Sequence, residues 1–317
     1  MKTILVTGGA GFIGSHLCAS LLKDGNKVIC VDDLCTGELS NIKELMKNKN
    51  FKFIKHDIIK PFNVRGKIDE IYNLASPASP KAYQDMPLKT LFTNSTGLHN
   101  MLILAHKHKA KILHASTSEV YGDPKVSPQS EDYYGYVNPT GPRSCYDESK
   151  RFSESLLINF SHKYGIDAKI VRIFNTYGPK MKVNDGRAVP NFIYQCLKNI
   201  DITIYGNGNQ TRSFCYISDM VDGLKKLMAS PINAEPVNLG NPYEYCSIIQ
   251  LAERIKKLTR SNSKLIYDKL PKDDPIKRKP SIEKAKRLLK LNPKVKMEEG
   301  LQFTIKWFKK NLDGGSE

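Results

Sequence analysis

The string Thr7-Gly8-Gly9-Ala10-Gly11-Phe12-Ile13-Gly14 joins an apolar, β-branched run, Thr3–Thr7, directly to a helical pattern, Phe12–Lys23. Glycines so placed permit a tight strand-to-helix turn, close approach of a pyrophosphate to the backbone and close packing of helix on strand. The helix N-terminus adds unpaired N–H groups and the positive end of its dipole. The next apolar run closes on Val31-Asp32-Asp33, about twenty residues on, where a carboxylate accepts hydrogen bonds from an adenine ribose and repels a 2′-phosphate. The constellation predicts NAD, held by Gly8, Gly11, Phe12, Ile13, Gly14 and Asp32. Thr3 to Leu22 carries no Asp, Glu, Lys or Arg and imitates a membrane anchor, but its glycines interrupt any long apolar helix. No membrane attachment and a cytoplasmic location are therefore expected.

Apolar runs alternate with helical patterns through the first half, the signature of a parallel sheet covered by helices. Strands are expected at Thr3–Thr7, Lys27–Val31, Phe51–His56, Glu70–Leu74, Lys111–Ala115 and Asp167–Ile173, and helices at Phe12–Lys23, Thr90–His108 and Cys145–Tyr164. After Gly178 the pattern is irregular, with a strand-like Ile202–Tyr205, a turn at Gly206–Gly208 and a helix-rich stretch from Ser247. The fold class expected is α/β: a Rossmann-like doubly wound parallel sheet with a smaller C-terminal α/β substrate domain. Residues 1–178 would form the NAD-binding domain with a returning segment near 214–240, and 179–213 with 241–317 the substrate domain.

Lysine and arginine number 49 against 32 acids, a net charge of +17 that raises nucleic acid as a partner. The cations are spread out, and the densest stretches, His106 to Lys111 and Lys284 to Lys296, interleave with helix-spaced apolar residues, so solvated helix faces are expected and no nucleic acid. Seven scattered cysteines with no CxxC pair read as reduced thiols, with no disulfide framework and no metal site.

Three further groups fall at the carboxyl edge of the expected sheet, where such sheets bind ligands. Asp57, after the third strand, is placed either to meet an adenine amino group or to cap a turn; Asn73-Leu74-Ala75-Ser76 ends the fourth. Ser116-Thr117-Ser118-Glu119 follows the fifth and supplies hydroxyls and a carboxylate. Tyr146 and Lys150, four apart on a helix, share one face. A nearby ammonium and a positive nicotinamide both favour phenolate, so the Tyr146 pKa is expected to fall and the side chain to act as a base toward a sugar hydroxyl.

The glycine turn, the Tyr146/Lys150 pair and Ser-Thr-Ser-Glu-Val-Tyr-Gly at 116–122 resemble the extended short-chain dehydrogenase/reductases that remodel nucleotide sugars. Leu74-Ala75-Ser76-Pro77-Ala78-Ser79-Pro80, Tyr146-Asp147-Glu148-Ser149-Lys150-Arg151, Ile173-Phe174-Asn175-Thr176-Tyr177-Gly178-Pro179, Asn184-Asp185-Gly186-Arg187 and Asp273-Asp274-Pro275-Ile276-Lys277-Arg278-Lys279-Pro280 narrow the resemblance to the UDP-glucuronate decarboxylase (UDP-xylose synthase) family, from Lys2 to about Phe308. Asn73, Ser281 and Leu291 depart from the family's usual His, Asp and Trp, and Asn73 bears on the nicotinamide-side pocket.

The resemblance implies NAD-dependent conversion of UDP-glucuronate to UDP-xylose through a 4-keto intermediate. Tyr146, with Thr117 and Lys150, serves as base; Ser118, Glu119 and Arg212 orient the carboxylate and assist the proton steps; Ala75 adds to the cofactor site. Ser118 replaces the Asp of dehydratases, and Glu119 is the acid that epimerases usually lack. Arg187 and Arg278 are expected to grip the diphosphate or else to form surface ion pairs, with Asn175, Tyr205 and Tyr83 completing the sugar-nucleotide site. A homodimer is implied, built on Thr90–His108 and Cys145–Tyr164 through Leu91, Leu98, Met101, Leu102, Leu104, Phe152, Leu156, Leu157 and Phe160. A 4-epimerase, a decarboxylase releasing the UDP-4-keto-pentose and a non-catalytic NAD-binding protein remain as alternatives, the last opposed by the intact Thr117, Tyr146 and Lys150.

Overall fold

The computed structural model describes residues 1–183 and 185–312. Asn184 of the quoted string, and the last five residues of the expected substrate segment, lie outside the described residues.

Seven short runs rich in Ile, Val and Leu form one parallel sheet: β1 (Thr3–Thr7), β2 (Lys27–Asp32), β3 (Phe51–Lys55), β4 (Glu70–Asn73), β5 (Lys111–Thr117), β6 (Ala168–Ile173) and β7 (Pro236–Leu239). Their spatial order is β3-β2-β1-β4-β5-β6-β7, a doubly wound sheet whose direction of winding reverses between β1 and β4. Neighbouring side chains on a strand serve opposite faces. Val6 packs beneath α1 (Phe12–Lys23) with Leu17 and Leu21, whereas Leu5 meets Met101 and Leu102 on the other side. Each fully buried aliphatic side chain contributes about 1.5–3 kcal/mol. Sheet burial on both faces explains why the strands read as continuous apolar runs. A separate core gathers Phe192, Ile193, Leu251, Ile255, Leu301, Ile305 and Phe308 from the second half of the chain.

Register levels the carboxyl ends. Thr7 lies opposite Val31 and Asn73, and Asn73 opposite His114. Two segments differ from the sequence expectation. Strand β5 runs two residues past Ala115, because Ser116 and Thr117 continue the ladder with Arg172 and Ile173. The single helix expected over Thr90–His108 is instead α2 (Pro87–Phe92), a π turn at Thr93–Gly97 and α3 (Leu98–His108). The widened turn accompanies buried Asn94, whose side-chain amide donates to Ser76 Oγ at 3.1 Å and Ser149 Oγ at 3.0 Å while its backbone carbonyl accepts from Ser153 Oγ at 2.6 Å. Ser149 and Ser153 belong to α4 (Ser144–Tyr164), the helix that carries Tyr146 and Lys150.

Candidate active site

One continuous cavity of about 1340 Å³ opens along the carboxyl edge of the sheet. Every candidate site residue named above except Arg278 and Asn73 lines it.

Its first half is shaped for a dinucleotide. Gly8 has φ +68°, and a Cβ there would stand 2.8 Å from Ala75 N; a Cβ on Gly14 would meet Gly8 O at 2.1 Å. Only glycine lets turn, strand and helix close to that distance, and the N-terminus of α1 carries no side-chain cap, leaving its N–H groups for an anion. The Asp32 carboxylate accepts from Ala10 N at 3.0 Å and Leu34 N at 2.8 Å, which fixes it at the end of β2. Burial pushes its pKa up against those bonds. These residues fit NAD. Asn73 does not line the cavity: it accepts from Thr7 Oγ1 at 2.6 Å and its amide nitrogen lies 3.1 Å from His114 Nδ1, a buried chain tying three strand ends beneath the turn.

Tyr146 and Lys150 leave α4 on one face, but the lysine reaches past the ring. Its Nζ donates to Ala115 O at 2.7 Å and lies 5.8 Å from the Tyr146 ring centroid. Burial draws the Lys150 pKa down to about 7 against the pull of Glu154. The fall expected for Tyr146 is reversed in the protein alone. Burial pushes the phenol well above its ordinary value, the Thr117 hydroxyl lowers it, Glu119 and Asp147 raise it and Arg187 lowers it. The physical reason is that desolvation of a nearly enclosed phenol outweighs the Thr117 hydrogen bond and the Arg187 charge. Tyr83 stacks on Tyr146, centroids 4.9 Å apart and planes 6° off parallel, and its buried hydroxyl has no protein partner among the described residues.

Glu119, at the turn after β5, sits among guanidiniums. Arg143 bonds one of its oxygens, and Arg278 Nη1 donates to the other at 2.8 Å. Burial alone would raise the Glu119 pKa, but Arg278 and Arg143 hold it down to about 2. The carboxylate is therefore ionised at neutral pH, an acceptor and a fixed negative charge among the arginines. Arg278 itself is 1% exposed, with further bonds to Ser118 Oγ at 2.9 Å and Gly122 O at 2.8 Å. Expected on the diphosphate or at the surface, it is in neither place. Its strand, Lys277–Arg278, pairs beside Thr211–Ser213 and drives the side chain under the catalytic turn.

Arg212 lines the cavity and pairs with Asp274 at 3.0 Å, as Arg143 does at 3.4 Å. Arg143 and its neighbour Asp147, whose carboxyl burial pushes up to about 8, were not read from the sequence; a polar residue beside a turn carries no local sign of burial. Arg187 pairs with Asp185 and leans over the Phe12 ring, 5.9 Å from its centroid, at the mouth of the dinucleotide half. Asn175 and Tyr205 stand along the second half of the cavity.

The chain matches the family model for GDP-mannose 4,6 dehydratase over residues 5–304. It is 51% identical over 312 residues to UDP-glucuronic acid decarboxylase 1 of Xenopus tropicalis, covering 98% of this chain and 73% of that protein. It is 49% identical over 310 residues to UDP-glucuronic acid decarboxylase 6 of Arabidopsis thaliana, covering 98% and 89%. The UDP-glucuronic acid 4-epimerase from Bacillus cereus, solved in complex with UDP-glucuronic acid and NAD, superposes with a TM-score of 0.87 at 30% identity, covering 98% of this chain and 99% of that one.

Proposed function

The chain belongs to the UDP-glucuronic acid decarboxylases, within the GDP-mannose 4,6 dehydratase family, and from that premise we propose how its residues divide the reaction. It uses NAD to decarboxylate UDP-glucuronate; we infer that the product is UDP-xylose, formed without net change in the cofactor. The observation that carries this reading is the ionised Glu119 locked between Arg143 and Arg278 beside Ser118, within the cavity that also holds Tyr146 and Lys150.

Bound NAD supplies the hydride acceptor at carbon 4 and the hydride that is later returned. Tyr146 takes the carbon 4 hydroxyl proton, with Thr117 sharing that proton's hydrogen bond. The ketone so formed is β to the carboxylate. The carbon 5 to carboxyl bond breaks, carbon dioxide leaves, and the bonding pair passes to the carbon 4 oxygen as an enolate. Tyr146 and the hydroxyls of Thr117 and Ser118 stabilise that oxygen by hydrogen bonds. A proton from water then adds at carbon 5, and Tyr146 gives back to the carbon 4 oxygen the proton it took as the ketone there is reduced. Arg212 faces the substrate carboxylate while Glu119 holds the arginine cluster in register, and Arg187, Asn175, Tyr205 and Tyr83 hold the sugar nucleotide. Incubation with UDP-glucuronate and NAD is expected to release one carbon dioxide per UDP-xylose, read by trapped gas and NMR of the product. UDP-galacturonate without carbon dioxide would make the protein a 4-epimerase, and accumulation of a UDP-4-keto-pentose would identify a decarboxylase that releases the intermediate.

We also propose a homodimer through α2, α3 and α4. The residues expected to form it need correction: Leu98, Met101, Leu102, Leu104 and Leu157 are buried within the chain itself. The large apolar side chains left exposed on these helices are Leu88, Phe92, Ile103, Phe152 and Tyr164, which are available to a second copy. A solution mass twice that of the chain is expected, and Phe92→Glu with Phe152→Glu should give the monomer; a wild-type monomer at micromolar concentration would remove the proposal. No helix among the described residues is long and apolar enough to cross a membrane, and all seven cysteines are free thiols, which supports a cytoplasmic location.

A further inference from the structure

At the far end of the dinucleotide half, α2 points Lys89 between the ends of β2 and β3. Its Nζ lies 2.5 Å from Asp33 Oδ2 and 2.9 Å from Asp57 Oδ2. The other oxygen of each carboxylate is already taken by backbone: Cys35 N donates to Asp33 Oδ1 and Ile59 N to Asp57 Oδ1, each at 3.0 Å. All three side chains line the cavity and are about a quarter exposed. Asp32 stands beside them, so three carboxylates crowd one subsite with a single ammonium between two of them. We infer that Lys89 is a positioning residue for cofactor recognition, a counter-ion that neutralises Asp33 and so holds Asp57 in the geometry that receives the adenosine half of NAD.

The inference rests on the NAD site of the proposed function. Without the ammonium, Asp33 and Asp57 face each other and Asp32 with no cation between them, and like-charge repulsion turns Asp57 from the pocket. Burial would raise Asp33; the Lys89 ammonium and the Cys35 N–H together outweigh it and hold the carboxyl below its usual range. The charged and titratable groups acting on Lys89 are Asp33 and Cys35, just after β2, and Asp57, just after β3. Because Lys89 is already bonded to two carboxylates, it is not free to receive a 2′-phosphate, so the subsite keeps a net negative charge and selects NAD over NADP.

The test is calorimetric titration of the full chain, freed of bound nucleotide, with NAD and separately with UDP. Lys89→Met is expected to weaken NAD binding at least about tenfold. Lys89→Arg should stay within about threefold of wild type, and UDP affinity should not move. Adding Asp33→Asn to Lys89→Met should restore NAD affinity by removing one charge of each sign, and this double variant decides the matter if the single one does not fold. Equal NAD affinity in wild type and Lys89→Met, a failure of the double variant to recover, or tighter NADP than NAD binding each overturns the inference. A wild-type chain that binds no NAD overturns the cofactor assignment beneath it.

Discussion

Tyr146→Phe lowers turnover of UDP-glucuronate to about a thousandth of wild type or less, ~4 kcal/mol in barrier, while UDP binding stays close to wild type. The substitution removes one oxygen and leaves the stack on Tyr83, whose ring is 4.9 Å away and nearly parallel. In the mechanism proposed above the oxygen is the proton acceptor, and its burial makes the protein alone a poor base: the phenol is pushed up, and Lys150, drawn down to about 7, is only partly charged near neutrality. Positive charge brought into the cavity by ligands is what turns the phenol toward phenolate. Initial rates across pH, with nucleotide affinity measured alongside, check this. Retention of more than about a tenth of the activity would take the role of base away from Tyr146.

Glu119→Gln lowers carbon dioxide release at least about tenfold, a barrier increase of roughly 1.4 kcal/mol, with NAD and UDP binding close to wild type. The geometry ties this loss to arginine placement and not to a missing proton. With a pKa of about 2 the carboxylate stays charged through neutral pH, and its charge balances Arg278, 1% exposed, and Arg143, 7% exposed. Gln keeps the hydrogen-bonding shape but leaves the buried Arg278 without its anion and Arg143 with the longer contact to Asp274, so stability falls too, by about 3–5 kcal/mol for a broken buried pair. The sign of the linkage follows from the depressed pKa: the Glu119 contribution is complete above the ordinary carboxylate value and is lost as pH falls toward 2. Urea titrations should show that loss in wild type and a shallower one in the variant. Wild-type rates of UDP-xylose formation by Glu119→Gln would make the arginine cluster structural only.

Local order in the sequence determined the sheet and the cofactor edge. The run Thr3–Thr7, the glycines after it and the acid ending β2 each act through their immediate neighbours, by backbone freedom, apolar periodicity and the reach of one side chain. The spacing of Tyr146 and Lys150 likewise fixed their shared helix face, because helix geometry is set over four residues. Tertiary structure alone decided the electrostatics. Arg278 comes from 159 positions beyond Glu119 to hold it, and Asp274 from 131 beyond Arg143; no local pattern records a contact closed over such a distance. Burial, which pushes Tyr146 up, pulls Lys150 down and is overridden at Glu119, depends on everything packed around a group, so the sign of each pKa shift became visible only once the chain had closed around the site. The same holds for the π turn at Thr93–Gly97 and for Lys89 between Asp33 and Asp57, where strand ends and helices distant in sequence meet at one edge of the sheet.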